Sequence, residues 1–229
     1  GKIFPEIKPS VVKELPVRRI NFSASTDERN KVLEDLIELY GRGEFKEIVT
    51  KAKRLIPFNN EENLLILDDT KKLGVDRSDV VHDFLIFLVD EMIALNDQKK
   101  AVLDNFHQDL KVFVDSKEFH QIKNKGKWEK TLARERTCRA YVDSESRSTK
   151  HIKDSLGWDE EAFRAFAGML IGKTSVTPAM IEVYRKHAQE YQGLSSRIKE
   201  TDNLIDQIVY RLYGLTEEEI EIVESSFDD

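Results

Sequence analysis

The sequence predicts a mainly α-helical protein built around a long antiparallel helical hairpin, with additional packed helices and a short extended N-terminal segment. Only 10 glycines and 5 prolines interrupt its 229 residues, so long regular elements should dominate. Two stretches, about 79–114 and 178–213, carry apolar residues at three- and four-residue steps, which is the spacing of one helix face. Neither apolar stripe is wide enough to be stable alone, so we expect the two helices to pack against each other.

The first 26 residues differ from the rest of the chain. Pro5, Pro9 and Pro16 fall among apolar residues there. Because proline fixes φ and lacks a backbone donor, this stretch predicts extended chain with a turn or a short helix. We expect it to pack along the edge of another domain.

Residues 27–77 predict a small helical subdomain. Apolar residues recur at helical spacing from Val32 to Tyr40, and Gly41 and Gly43 should stop that helix. A second helix should cover about 44–55 and end before Pro57. The short apolar stretch 63–67 fits either a helix or a strand.

Residues 78–229 predict the hairpin, and its ends carry capping signals. Ser78 is a good N-cap for the first long helix, and Thr177 followed by Pro178 opens the second. Gly214 suits the left-handed residue that ends a helix. Thr216 and Glu219 then form a capping box, which predicts a short C-terminal helix. The apolar seam of the first long helix consists of Val81, Leu85, Leu88, Met92, Leu95, Val102, Phe106 and Phe113, and Lys99 interrupts it.

A basic tip, residues 115–176, is inserted in the hairpin, and its part 117–153 carries the main functional signal. That part has 11 basic and 5 acidic side chains, so its balance is +6 in a chain of net charge −7, and the remainder carries −13. Such a segment can contact phosphates while the rest of the chain repels them. A solvated helical face of mixed charge is the alternative. The candidate phosphate-binding residues are Lys123, Lys125, Lys127, Lys130, Arg134 and Arg136. The remaining part of the tip predicts a compact apolar helix near 159–171.

Three weaker patterns point to other chemistry. The run 167–174 resembles a relaxed phosphate loop, but the residues before it predict an amphipathic helix, and a helix stop at Gly172 fits better. Asp27 with Glu44 and Lys46 has the spacing of a metal-dependent nuclease motif, on flanks that look helical. Cys138 is expected to be an inert thiol. The five histidines lack metal-ligand spacing, and His82 and His107 should be packing or surface residues on the first long helix.

The cysteine count and the lengths of the apolar runs limit the cellular compartment that the sequence predicts. One cysteine excludes an internal disulfide, and no apolar run is long enough to span a membrane. We expect a cytoplasmic protein without a membrane partner. The chain begins at Gly1 rather than methionine, and we expect it to be part of a longer protein.

Three segments resemble fused restriction–modification enzymes of the type IIG kind, which methylate adenine in DNA. The tail from Ile205 to Glu224, a helix followed by glycine and a second helix, resembles their closing segment. Leu88–Asn96 resembles the start of their long helix, and Phe4–Arg18 resembles the exit from their target-recognition region. Together these segments cover about a fifth of the chain, in the family's order.

The resemblance implies a C-terminal DNA-recognition or scaffold module, with residues 1–26 as the end of a target-recognition-like region. Its partners would be double-stranded DNA and the methyltransferase and recognition domains upstream in the same chain. The family uses S-adenosylmethionine, with magnesium where it also cleaves DNA, and flips the target base. Its Asn-Pro-Pro-Tyr box and glycine-rich cofactor loop do not occur here, so no catalytic, cofactor-binding or metal-binding residue is predicted. The alternative is a helical protein–protein interaction module without a DNA role.

Overall fold

The computed structural model describes residues 20, 22, 25–56, 76–114, 155–172 and 175–225. In these ranges the chain forms six α-helices, a short 3₁₀ helix and no strand, which confirms the mainly α fold class. The helices are α1 (Thr26–Arg42), α2 (Phe45–Leu55), α3 (Ser78–Leu110), α4 (Glu160–Ile171), α5 (Pro178–Tyr213) and α6 (Glu217–Ser225). The 3₁₀ helix covers Ser155–Gly157.

The chain divides into two compact units, and the two long helices contribute to both. The first unit contains residues 1–90 and 202–229, and the second contains residues 91–201. In the second unit, Lys99 contacts the ring of Tyr191 and Phe106 contacts the ring of Tyr184, the order that antiparallel segments produce. The hairpin along its whole length and the three predicted domain segments stay predictions.

The core of the first unit joins four helices. The sequence places apolar residues on one face of each, as amphipathic helices require. Its buried members are Leu36, Leu39 and Tyr40 of α1, Ile48 and Ala52 of α2 with Ile56 directly after it, Val80, Val81, Phe84 and Leu88 of α3, and Leu204, Ile208 and Leu212 of α5.

The core of the second unit is rich in aromatic side chains. It joins the second half of α3, the 3₁₀ helix, α4 and the first half of α5. Its buried members are Val102, Phe106, Leu110, Val114, Leu156, Trp158, Ala162, Phe163, Phe166, Ala167, Met180, Ile181, Tyr184, Ala188 and Tyr191.

Most of the predicted helix ends are confirmed by hydrogen bonds. Thr216 donates its backbone N–H to the Glu219 carboxylate (2.8 Å), and the Glu219 N–H donates to the Thr216 hydroxyl (3.3 Å), as a capping box requires. The Met180 N–H donates to the Thr177 hydroxyl at 3.2 Å. Gly214 has φ 67°, the left-handed conformation expected after a helix.

Three details of the prediction were wrong. Ser78 is the first helical residue rather than the N-cap, and the Asp76 carboxylate accepts its N–H at 3.0 Å. Gly41 lies inside α1, and only Gly43, with φ 75°, ends that helix. Helix α3 stops at Leu110 rather than near residue 114, because tighter three-residue hydrogen bonds such as Phe113 N–H to the Leu110 carbonyl (2.9 Å) follow.

Candidate functional site

The six predicted phosphate-binding residues, from Lys123 to Arg136, lie outside the described residues, and so does Cys138. The residues that flank this basic segment are described. Val114, 8% exposed, precedes it, and Leu156, 0% exposed, follows it. Both belong to the core of the second unit. The chain therefore leaves this core and returns to it on either side of the basic segment.

Helix α5 holds the point where the chain returns. The Tyr184 hydroxyl donates to the Trp158 carbonyl at 2.6 Å. The side-chain amide of Gln192 donates to the same carbonyl at 3.2 Å and to the Leu156 carbonyl at 3.1 Å. These side chains satisfy backbone acceptors in and directly after the 3₁₀ helix, which would otherwise be costly to bury. The Asp159 carboxylate then caps α4 by accepting the Ala162 N–H at 2.8 Å.

Aromatic rings pack around the point where the chain returns to the core. The rings of Phe163 and Tyr184 stack with centroids 4.1 Å apart, and the edge of Phe106 approaches both rings, at 5.9 and 6.2 Å. The Trp158 ring packs on Phe166 at 5.4 Å. Such ring pairs add stabilisation beyond the apolar area that they bury. The flanks of the basic segment therefore rest on a well-packed support.

One polar pair in this core was not predicted from the sequence. His187 is 6% exposed, and its Nε2 lies 2.8 Å from a carboxylate oxygen of Asp109. The other ring nitrogen, Nδ1, is buried and has no hydrogen-bond partner among the described residues. The pair joins α3 to α5 across 78 residues of sequence, so no local spacing could have indicated it. The contact links α3 to α5 in the second unit.

The two remaining histidines of the described residues behave as predicted. His82 and His107 are half-buried residues of α3. His82 meets the ring of Phe22 edge-on at 5.6 Å. His120 and His151 lie outside the described residues. Within the described ranges, no group of three or more histidine, cysteine or acidic side chains is placed to hold a metal ion.

The phosphate-loop pattern lies on a helix rather than after a strand. Ala167 and Gly168 belong to α4, and the Gly168 carbonyl accepts the N–H of Gly172 at 3.1 Å. Backbone amides used inside a helix are not free to surround a phosphate. Gly172, with φ 87°, ends the helix, in agreement with the preferred interpretation of this run.

The nuclease-like pattern also lies on helices. Asp27 is in the first turn of α1, Glu44 connects α1 to α2, and Lys46 belongs to α2. That motif depends on a sheet to bring its carboxylates and lysine together. The geometry therefore gives no support to a nuclease site at these residues.

A buried ionic cluster at the start of α3 was also not predicted. Asp79 is fully buried, and its carboxylate lies 3.4 Å from Arg77 Nε and 3.9 Å from Arg29 Nε. Arg29 also pairs with Asp83. Arg29 connects α1 to α3 in this way, so the cluster holds the first unit together. Buried charges of this kind are tolerated only with compensating partners.

Three large apolar side chains of α3 face solvent. Ile86, Val89 and Ile93 are 50%, 49% and 58% exposed, and their spacing of three and four residues puts them on one face of the helix. The seam predicted from the sequence uses the other face, where Val81, Leu88 and Leu95 are buried. Exposed apolar stripes often mark contacts with other molecules.

No helix in the described part of the chain combines the length and the apolar character needed to span a membrane. Comparisons with protein-family models, with curated proteins and with solved structures find no match to this chain.

Proposed function

We propose that this chain is a non-catalytic DNA-recognition or scaffold module of a DNA adenine methyltransferase or restriction–modification enzyme. Its basic segment 117–153 contacts the phosphates of double-stranded DNA. Methyl transfer, with S-adenosylmethionine as the donor, belongs on this proposal to other domains of a longer protein. The compartment on this proposal is the cytoplasm, where such enzymes meet DNA.

The observation that carries the proposal is the concentration of positive charge between two anchored flanks. The segment has a balance of +6, whereas the rest of the chain has −13. Its flanks, Val114 and Leu156, are buried in one core. Fixed ends reduce the conformational freedom that a charged segment loses when it binds DNA, which favours binding.

The likeness of three segments to the type IIG enzymes supports DNA as the polyanion that the basic segment contacts. The structure of the described residues is compatible with that likeness in its mainly helical character. Leu88–Asn96 lies within α3, and the tail forms the end of α5, the Gly214 turn and α6. Residues 4–18 lie outside the described residues.

A second candidate function has an observation of its own. The exposed side chains Ile86, Val89 and Ile93 on α3 favour a helical module that docks a protein partner without any DNA role. An amphipathic helix laid along α3 would cover them.

A salt titration of DNA binding tests the leading proposal. We expect the affinity of the full chain for a short fluorescein-labelled duplex to fall as salt rises, because phosphate contacts release counterions. Reversing Lys123, Lys125 and Lys127 to Glu removes three such contacts. The slope of log affinity against log salt should then become less steep by about 2.7, since each contact contributes about 0.9.

The matched control reverses Lys31, Lys46 and Lys186, which are exposed on α1, α2 and α5. It changes the net charge by the same amount, and we expect its slope to stay close to that of the unmodified chain. Equal slopes for both variants, or binding that does not respond to salt, would exclude the proposed phosphate contacts. The second candidate would then be favoured.

A further inference from the structure

The chain reaches α3 beside the exposed apolar face of this helix just before α1 begins. Phe22 meets the ring of His82 edge-on, with centroids 5.6 Å apart, and the Arg29 guanidinium lies over the same Phe22 ring at 4.9 Å. His82, Ile86 and Val89 follow one another at spacings of four and three residues, so they share one face of α3. The residues before Phe22 are therefore joined to the chain next to this face.

Three apolar side chains of the first unit are exposed in this region. Phe22, Ile86 and Val89 are each about half exposed. Single exposed apolar side chains are common, but several together on one surface favour a contact. A chain segment packed on them would remove its own apolar surface and theirs from water, which is favourable in proportion to the area covered.

The N-terminal residues 1–19 are rich in apolar side chains. These residues lie outside the described residues, so their sequence is the relevant observation. Pro16 stands between Leu15 and Val17. Because proline fixes its own φ and restricts the residue before it to extended conformations, Leu15 and Val17 are expected on one side of an extended chain. Such a pair suits a two-residue apolar face. The other apolar members of the segment are Ile3, Phe4, Ile7, Val11 and Val12.

The length of chain is sufficient for this segment to reach the apolar face. Seven residues separate His82 from Val89, so Val89 lies about 10 Å further along the α3 axis, at 1.5 Å per residue. The five residues from Val17 to Phe22 span about 16 Å when extended. Contact of Val17 with Ile86 or Val89 is therefore compatible with the observed contact between Phe22 and His82.

The first part of α3 is acidic. Residues 78–98 include five aspartate or glutamate side chains and no lysine or arginine. Asp79 and Asp83 near the start of the helix pair with arginines, including Arg29 of α1. Asp90 lies directly after Val89 and is exposed. The apolar face is therefore bordered on its own helix by negative charge.

The N-terminal segment has the opposite charge. Residues 1–19 contain five lysine or arginine side chains and two glutamates, a balance of +3. Two of the cations, Arg18 and Arg19, directly follow Val17. Packing of Val17 on α3 would bring these guanidinium groups near Asp90. Charge complementarity thus favours the same placement as the apolar side chains and the chain length.

We propose that residues 1–19 dock on α3 of their own chain. Leu15 and Val17 pack on Ile86 and Val89, and the two arginines that follow lie near the carboxylate next to Val89. The segment therefore covers a face of its own helix rather than the edge of another domain. A protein partner could use this face only by displacing the segment. The inference is independent of the proposed DNA contact, which concerns the second unit.

Disulfide formation in the full chain tests the proposal. Every variant carries Cys138→Ser, so that only the introduced thiols react. Leu15→Cys or Val17→Cys is combined with Val89→Cys, and oxidation by glutathione is followed by mass spectrometry of tryptic peptides. We expect at least one of the two pairs to form a disulfide within one chain. It should form at least about tenfold faster than the control pair, because docking raises the effective concentration of one thiol at the other.

The matched control places the second thiol at Ala94→Cys. Ala94 is an exposed residue of α3 that points away from the Val89 side of the helix, and the undocked segment is long enough to reach it. Equal rates for the Val89→Cys and Ala94→Cys pairs would overturn the proposal. Disulfides that join two chains in place of those within one chain would also overturn it, since they would indicate a second copy as the occupant.

Two surface variants test the apolar and the charged parts of the contact. Ile86→Ser should slow the disulfide between Val17→Cys and Val89→Cys by about threefold to tenfold, because it removes part of the apolar face. Asp90→Lys should slow it by about threefold, whereas Glu221→Lys on α6 should leave the rate unchanged. An unchanged rate in Ile86→Ser, or equal rates in the two lysine variants, would show that the segment does not dock as proposed. Far-UV circular dichroism verifies that these variants keep their helices.

Discussion

Replacing Tyr184 by phenylalanine removes its hydroxyl and keeps its ring. The change therefore tests only the hydrogen bond that holds the chain where it returns to the core after the basic segment. Tyr184→Phe keeps the ring stacked on Phe163 and deletes the 2.6 Å hydrogen bond to the Trp158 carbonyl. Gln192 still donates to that carbonyl, so the acceptor is not left alone. We therefore expect a loss of only about 1 kcal/mol in the free energy of unfolding, the net value of one buried hydrogen bond.

The double variant makes the prediction sharper. Gln192→Ala alone should also cost about 1 kcal/mol. With Tyr184→Phe it removes both of these side-chain donors, so the total loss should reach at least the sum of the single losses, about 2 kcal/mol. Urea unfolding followed by far-UV circular dichroism gives all three values. A double variant that loses less than about 1 kcal/mol, or a Tyr184→Phe variant as stable as the unmodified chain, would refute the anchoring role of these hydrogen bonds.

Three further predictions concern the helices that carry the site. Asp79→Ala removes the carboxylate that faces Arg77 and Arg29. Because Arg29 keeps its pair with Asp83, we expect a loss of about 3 kcal/mol in the free energy of unfolding, at the lower end for a broken buried pair, measured by urea unfolding. Gly43→Ala should lower the free energy of unfolding by about 1–2 kcal/mol, because the φ of Gly43 is 75°. Gly41→Ala should raise it by about 0.5–1 kcal/mol, because Gly41 is helical and a Cβ there meets nothing within 4 Å. Urea unfolding that gives both changes the same sign would contradict this reasoning. Hydrogen bonds from arginine side chains, first that of Arg185, lower the pKa of Glu160, so its stabilisation is present above the ordinary glutamate pKa and is lost as pH falls through the lowered value. Glu160→Gln should accordingly reduce the loss of stability in acid, as thermal unfolding at a series of acidic pH values will show.

Features that depend on near neighbours in the chain could be predicted from the sequence. The apolar period located α1 to α3 and α5, and the Thr216–Glu219 box needs only residues three apart. The errors at helix ends have a physical reason. The apolar residues Phe113 and Val114 extend the period beyond Leu110, because they still contact the core after the backbone has left the helix.

Features that depend on distant partners could not be predicted. His187 and Asp109 are separated by 78 residues, and Arg29 meets Asp79 only because α1 packs beside α3. Many acidic and basic residues of a charge-rich chain could form such pairs, and the sequence does not say which ones do.

The candidate DNA site, in contrast, is indicated by the sequence alone. Its charge is evident from composition, and the described structure adds only where its flanks are held. The predicted phosphate contacts, Lys123 to Arg136, therefore stay a prediction.

Lysine acetylation with and without duplex DNA, followed by mass spectrometry, tests whether the basic segment contacts DNA. We predict that DNA protects Lys123, Lys125, Lys127 and Lys130 and leaves Lys31 of α1 as reactive as in the free protein. Unchanged reactivity of the four lysines at a DNA concentration that saturates binding, or protection confined to helices of the first unit, would contradict it.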